Sequence, residues 1–224
     1  MMKAARAIKG LLYEQVARIG KAVSSPKRLE LMEILCQGQK SVEQLAIEAG
    51  VSVNLASAHL KELKAARLVE SRREGKNVFY RLVDAHVADF WVMLRALAEE
   101  RLLELQAAMR DLVAHSHELA ALGGKELLTQ AERGEVMVID VRPAGEYETA
   151  HLPYARSVPL AELKNRLGEI PTDKPVVAYC RGPFCLMAKE AVELLLREGR
   201  GAARLGLGVA EWRAQGLPLI TGAS

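Results

Sequence analysis

The chain has 224 residues, half of them hydrophobic and 26% charged. That composition excludes a disordered polymer and leaves room for one large domain or two of ordinary size. No apolar run reaches the roughly 20 residues of a membrane span, and the N-terminal MMKAARAIKG lacks a signal peptide's apolar core, so a cytoplasmic protein with no membrane partner is expected. Three cysteines, an odd number, argue against a disulfide framework and leave chemistry or packing as their uses. The net charge of +3 is unevenly spread: residues 1–81 carry 15 Lys and Arg against 8 Asp and Glu, residues 82–118 carry 3 against 7, and residues 119–224 carry 13 of each. The basic block is where a polyanion would bind.

In chain order, residues 4–23 read as a helix with Ile8, Leu11, Leu12, Gln15, Val16 and Ile19 in a mostly apolar stripe. Ser24, Ser25 and Pro26 punctuate and cap a second helix, Pro26–Cys36, with Leu29, Met32, Ile34 and Leu35 turned inward. Ser41 with Gln44 three residues on forms a capping box for a short helix, 42–49. Gly50 ends it and Ser52 opens a further helix to about Ala66. Two short helices joined by a tight Gly-containing turn are a helix-turn-helix pattern. Leu68–Arg72 and Asn77–Val83 around Glu74-Gly75-Lys76 read as a hairpin. Asp84 then caps a single long helix from about Ala85 to Glu118, roughly 50 Å at 1.5 Å per residue. Its apolar positions exceed what a small domain covers, which predicts pairing with a second copy.

Gly123-Gly124 reads as a linker. Beyond it, Val136–Val141 and Val176–Cys180 are apolar runs of buried-strand type, and 203–207 a third strand. Helices are expected over 186–198 and 209–214. Strands alternating with helices predict a mainly parallel sheet covered on both faces.

The helix opened by Ser52 buries Leu55 or Ala56, with Leu60 and Leu63, and so turns Asn54, Ser57, Ala58 and Lys61 outward. Small or hydrogen-bonding residues of this kind fit a major groove. A basic hairpin tip, Arg72, Arg73 and Lys76, placed just after a helix-turn-helix can lie along the DNA backbone or in the adjacent minor groove. From about Lys21 to Leu103 the chain resembles the ArsR-type winged helix-turn-helix repressors, through PKRLELMEILCQGQKSVEQLA and SVNLASAHLKELKAARLVESRREGKNVFYRL. The most specific elements are Ser57-x-His59-Leu60 and the REGKNVFYRL wing. The resemblance implies a homodimer, paired through its first and last helices, on a two-fold-symmetric double-stranded operator. His59 is expected to be packed or phosphate-facing rather than a ligand.

Family metal sites do not map well. Where some members place paired cysteines, this chain has Ser41-Val42-Glu43. Asp84, His86 and Glu100 match another ligand spacing, but the remaining position is Leu97, so neither metal nor other cofactor is expected. His115 and His117 are expected to be solvent-exposed. Cys36 is expected to be a small buried hydrophobe, with a redox role as the alternative; the family's cysteine pairing with the last helix lacks its partner here.

In the second half, Cys180-Arg181-Gly182-Pro183-Phe184-Cys185 lies between a buried strand and a helix. A helix N-terminus, inward-facing N–H groups and the charge of Arg181 favour a thiolate at Cys180, at the strand end where ligands bind in an open α/β sheet. The surroundings, VIDVRPAGEYETAHLPYARSVPL, PVVAYCRGPFC and GVAEWRAQGLPL, resemble the rhodanese-like sulfurtransferase domain over about 125–221. The resemblance implies that Cys180 carries sulfane sulfur as a persulfide and that Asp140, Arg142 and Glu146 brace the sheet end and the loop. Arg181, Gly182, Pro183 and Phe184 form the substrate loop. A loop-end arginine common in the family is replaced by Cys185, which removes a cation and supplies a possible resolving thiol. The loop has six residues; relatives acting on phosphate or arsenate have seven.

The expectation is therefore of two domains: residues 1–118, a mainly α winged helix-turn-helix with a long dimerisation helix; a linker at 119–124; and residues 125–224, an α/β rhodanese-like domain. Together they predict a repressor whose operator binding answers to a sulfane-sulfur donor such as thiosulfate, polysulfide or a low-molecular-weight persulfide. The alternative is a working sulfurtransferase that uses the winged helix as a dimer platform and autoregulator.

Overall fold

The structure, a computed structural model, describes residues 2–113 and 123–222. It divides into two compact units, Met1–Trp91 and Val92–Ser224, each with its own core. Among the described residues no helix is long and apolar enough to cross a membrane.

The first unit opens with α1 (Met2–Val23) and α2 (Pro26–Leu35), the latter started by Ser25 and a proline in its first turn. Leu31, rather than the expected Leu29, joins Met32, Ile34 and Leu35 in the core. The Ser41–Gln44 capping box forms: Gln44 N–H donates to Ser41 Oγ at 3.2 Å and Ser41 N–H to Gln44 Oε1 at 2.8 Å, starting α3 (Val42–Glu48). Gly50, at φ 62°, makes the turn into α4 (Val53–Ala65), whose first N–H groups include Leu55 donating to Ser52 Oγ. Ala56, Leu60 and Leu63 are fully buried and Leu55 is exposed, which resolves the inward position left open by periodicity.

The wing is β2 (Val69–Glu74) paired antiparallel with β3 (Asn77–Leu82) through a two-residue Gly75-Lys76 loop. A two-residue strand that periodicity could not detect, β1 (Lys40–Ser41), pairs with β3 to give a sheet of order β1-β3-β2. The unit is thus a winged helix-turn-helix.

Asp84 Oδ1 accepts Val87 N–H at 3.2 Å and opens α5 (Ala85–Arg101). The single long helix expected from Ala85 onward is interrupted at Leu102 and resumes as α6 (Leu103–Val113). There the Gln106 side-chain amide donates to the Glu99 and Glu100 carbonyls, at 2.9 and 3.2 Å, which an unbroken helix would pair with backbone N–H groups. The expected continuation to Glu118, His115, His117 and linker residues 119–122 lie outside the described residues.

Gly123 and Gly124, read as linker, instead cap and open α7 (Gly124–Glu132). Gly124 is buried; a Cβ there would lie 3.1 Å from the Trp212 ring and 2.4 Å from Leu217 Cδ1. The chain continues through β4 (Met137–Asp140), α8 (Ala144–Thr149), β5 (Ala155–Ser157), α9 (Leu160–Leu163), β6 (Val176–Tyr179), α10 (Met187–Arg197), β7 (Ala202–Arg204) and α11 (Val209–Ala214). The sheet is parallel throughout, in the order β5-β4-β6-β7. Alternate residues feed two cores: Ile139, Val141, Ala178 and Cys180 pack with α10, and Val138, Val177, Tyr179 and Leu205 with Leu127 and Trp212. Both faces are covered, as the apolar strands require.

Candidate functional site

The loop from Cys180 to Cys185 leaves the carboxyl end of β6 and runs into α10. All three cysteines lie among the described residues and none is in a disulfide. Cys180 is buried, with 1% of its surface exposed, whereas Cys185 is half-buried. The Cys180 thiol approaches the Cys185 carbonyl at 3.5 Å, and Cys185 N–H donates to the Gly182 carbonyl at 3.1 Å.

A hydrogen bond between the two thiols shifts them in opposite directions. A hydrogen bond from Cys180 pulls the Cys185 thiol down to about 6, against the opposing effect of burial and with help from the Arg181 and Met187 N–H groups. The same hydrogen bond, then burial, pushes Cys180 well up. These directions favour the thiol form at Cys180, where a thiolate was expected, and ionisation at Cys185, so the loop titrates as a pair. Cys180 is the deeper sulfur, so the charge rests on the neighbour with better access to water.

Arg181 also departs from expectation. Its guanidinium turns to Glu146, with Nε donating to the two carboxylate oxygens at 3.0 and 3.2 Å and Nη2 to Oε1. Its charge is compensated, and its coulombic pull is the smallest of the effects that lower the Cys185 thiol. Beneath it, Asp140 accepts from Arg142 N and Nε, both at 3.0 Å, from Arg142 Nη2 at 2.5 Å and from Tyr179 Oη at 2.5 Å. Arg142 Nη2 also reaches the Ala150 carbonyl at 2.8 Å. Arg142 and Asp140 are fully buried, and burial keeps Tyr179 protonated as a donor.

Sequence reasoning missed three side chains at the loop. Arg204, buried on β7, donates Nη2 to the Pro183 carbonyl at 2.7 Å. Glu211 on α11 accepts Gly208 N–H at 2.8 Å. Arg95 on α5 pairs with Glu211 at 3.0 Å and lies over the Phe184 ring, 5.6 Å from its centroid. The signal available for Glu211 was its position three residues after Gly208, a capping spacing.

Gly208 backs directly onto the loop: a Cβ there would lie 2.1 Å from the Arg181 carbonyl oxygen and 2.8 Å from Gly182 N. Both are backbone, so no rotamer relieves the clash. Gly208→Ala is expected to cost about 1–3 kcal/mol in urea unfolding and to raise the pH midpoint of Cys185 alkylation. An unchanged midpoint with wild-type stability would contradict this geometry.

In the first unit, Ser52, Asn54, Ala58 and Lys61 are exposed on or beside α4, while Ser57 and His59 are half-buried. Lys64 Nζ donates to Ser71 Oγ at 2.7 Å and ties α4 to the wing. Arg72, Arg73 and Lys76 are exposed near its tip; Arg72 pairs with Glu74 at 2.6 Å, and Arg73 Nε donates to the Gly75 carbonyl at 3.2 Å. Cys36 is half-buried at the end of α2. His86 lies 3.8 Å from Asp84, and among the described residues no cluster of three or more His, Cys, Asp or Glu could hold a metal.

Residues 25–71 match the family described as bacterial regulatory protein, arsR family, and residues 124–215 match the rhodanese-like domain. The chain is 41% identical over 215 residues to the HTH-type transcriptional regulator Rv0324 of Mycobacterium tuberculosis, covering 96% of this chain and 94% of that protein. It is 31% identical over 91 residues to a protein of Allochromatium vinosum named sulfurtransferase, covering 40% of this chain and 83% of that one. A solution structure of the homodimeric winged helix-turn-helix DNA-binding domain of Mb0332 from Mycobacterium bovis, a possible ArsR-family transcriptional regulator, is 40% identical. It covers 43% of this chain and 89% of its own, with a TM-score of 0.41. Similarity to a regulator at 41% identity over nearly the whole of both chains, with both domain matches present, shows that the chain belongs to the arsR family of bacterial transcriptional regulators, in a form with a C-terminal rhodanese-like domain.

Proposed function

We propose that the chain is an operator-binding repressor whose affinity for DNA is set by sulfur loaded onto the Cys180–Cys185 loop. In this reading residues 1–118 bind double-stranded DNA as a homodimer and residues 125–224 handle sulfur. The exposed Ser52, Asn54, Ala58 and Lys61, with Ser57 and His59, face the groove, and Arg72, Arg73 and Lys76 follow the backbone. Pairing of two copies is supported by large apolar side chains left in water: Leu11, Leu12 and Val16 on α1, Met93 and Leu97 on α5, and Leu103 on α6.

The observation that carries the sulfur reading is the pair of free thiols bracketing one short loop at the carboxyl end of β6, with Cys180 Sγ 3.5 Å from the Cys185 carbonyl and the Cys185 thiol drawn down to about 6. At neutral pH the Cys185 thiolate attacks the outer sulfur of thiosulfate; the S–S bond breaks and sulfite leaves with its electron pair, giving a persulfide. Cys180, once deprotonated, can attack the inner sulfur of that persulfide, releasing hydrosulfide and closing a Cys180–Cys185 disulfide. Polysulfide or a low-molecular-weight persulfide enters by the same displacement. Either product is a covalent change that biases a two-state regulator.

The test is operator binding by the full chain before and after polysulfide. An affinity change in wild type that disappears in the Cys180→Ser, Cys185→Ser double variant is expected; unchanged wild-type affinity overturns the sensing claim. Response persisting in the double variant would transfer the role to Cys36. The likeness to a named sulfurtransferase favours a second reading, in which the loop turns over as an enzyme. Sustained thiosulfate:cyanide turnover, rather than a single equivalent of sulfur taken up, would select it.

A further inference from the structure

Arg95 is an arginine in an otherwise apolar stretch of α5 (Phe90-Trp91-Val92-Met93-Leu94), and its side chain is only 5% exposed. Burying a guanidinium is costly unless its charge is matched. Two carboxylates match it: Glu99 one turn along α5 at 3.0 Å, and Glu211 on α11 at 3.0 Å. Glu99 alone would be an ordinary ion pair within a helix. Glu211 is different, because it is itself buried and its other oxygen accepts Gly208 N–H at 2.8 Å.

That pair forms one wall of the cysteine loop. A Cβ built at Gly182 would meet Glu211 Oε2 at 3.1 Å, Oε1 at 3.3 Å and Arg95 Nη1 at 3.4 Å. Gly182 sits at φ 155°, with its carbonyl accepting Cys185 N–H at 3.1 Å. The Phe184 ring, two residues further along the loop, lies under the same Arg95 guanidinium. So the peptide that shapes the turn around the thiols and the aromatic next to Cys185 both rest on one side chain from α5. A sulfur atom added at either cysteine extends that side chain by an S–S bond of about 2.05 Å. At Cys180, which is buried on a loop whose Gly182 already lies against the Arg95–Glu211 pair, the added sulfur presses the loop toward that wall, and closure of a Cys180–Cys185 disulfide reshapes the same turn.

We propose that Arg95 is a positioning residue for the cysteine loop: held between Glu99 and Glu211 and over the Phe184 ring, it fixes Gly182–Phe184 and carries the loop's sulfur state to α5. Its role in signalling rests on the sulfur-sensing reading above; its role in positioning the thiols does not. α5 begins in the first unit and ends in the second, so a loop movement that shifts Arg95 acts on a helix shared by both.

The experiment uses the full chain in a Cys36→Ser background, with folding checked by circular dichroism. The pH profile of iodoacetamide alkylation at the loop is measured for Arg95→Gln, Arg95→Lys, Glu211→Gln and the Arg95→Gln, Glu211→Gln double variant. Arg95→Gln leaves the Glu211 carboxylate uncompensated against Gly182 of the cysteine loop, so the alkylation midpoint is expected to rise by about 0.5–1 pH unit. Arg95→Lys should restore part of that shift, and the double variant should return close to wild type, because the repelling charge has gone too. A purely structural loss would instead make the double variant worse than either single one. An unchanged midpoint in Arg95→Gln, or no recovery in the double variant, overturns the positioning role.

The second readout is operator affinity after polysulfide, with loading confirmed by mass spectrometry. Loaded double variant is expected to bind operator within about twofold of its unloaded form, where wild type changes about tenfold. A response in the double variant equal to wild type overturns transmission through Arg95. If wild type itself does not respond, the sensing reading falls, and the alkylation midpoint alone decides whether Arg95 positions the loop.

Discussion

Replacing Cys185 by alanine, in a Cys36→Ser background, is expected to move the alkylation midpoint of the loop from about 6 to above about 8. The sign follows from the hydrogen bond between the two thiols. With both thiols present, the first proton leaves at low pH because the remaining Cys180 S–H donates to the new anion. Without Cys185, Cys180 has no such partner and stays buried, so its thiolate forms only at alkaline pH. At pH 6 the thiolate fraction should fall by about two orders of magnitude. The lower intrinsic nucleophilicity of a low-pKa thiolate returns about one of them, leaving a rate about tenfold lower before the burial of Cys180 slows it further. A midpoint still near 6 in the variant would assign the charge to Cys180 and reverse the roles of the two sulfurs.

The second large effect lies under the loop. Arg142→Met is expected to destabilise the second unit by about 3–5 kcal/mol, because it strands the Asp140 carboxylate in a site with no exposure. Against a typical total of about 5–15 kcal/mol, that is enough to populate unfolded chain at ordinary temperature. Asp140 would keep Tyr179 Oη and the backbone N–H of residue 142, whereas the contacts described from the Arg142 guanidinium, through Nε and Nη2, would go. The Ala150 carbonyl would lose its donor as well. Adding Asp140→Asn to Arg142→Met should recover about half or more of the loss, since the cost is that of the uncompensated charge. Urea unfolding of the three variants measures this; a loss below about 1 kcal/mol in Arg142→Met would mean that the pair adds little beyond packing.

The elements most legible in the sequence were those whose signals are local. Ser41 and Gln44, Gly50, Ser52 and the Gly75 turn each act within a few residues of themselves, and the structure uses each in that way. The apolar runs around Ile139 and Val177 announced buried strands because a parallel sheet buries both faces. What escaped was set by distant partners or by very short pairings. β1 has two residues and β5 three, too few for any period to register. Arg181 beside a cysteine looked like a free cation, but its charge is taken by Glu146, which no spacing rule connects to it. The opposite shifts of the two thiols come from the hydrogen bond between them and from burial, both decided by the loop's path rather than its composition. Arg95 lay on a helix already assigned to pairing, so its ties to Glu211 and Phe184 had no trace in the heptad-like pattern around it.

The interruption at Leu102 bears on how far a movement of α5 can travel. A continuous helix is a stiff rod that passes a twist or shift along its whole length. Here two backbone carbonyls at the junction are held by the amide of a flexible glutamine side chain. Two such hydrogen bonds are worth about 1–3 kcal/mol together, less than the cost of bending a regular helix through several turns of intact bonding. The junction therefore works as a compliant joint: small displacements of α5 can be absorbed by Gln106, leaving α6 where it is. Any partner seated on α6 would be mechanically insulated from events at the loop, and a surface on α5 N-terminal to Leu102 would feel them in full.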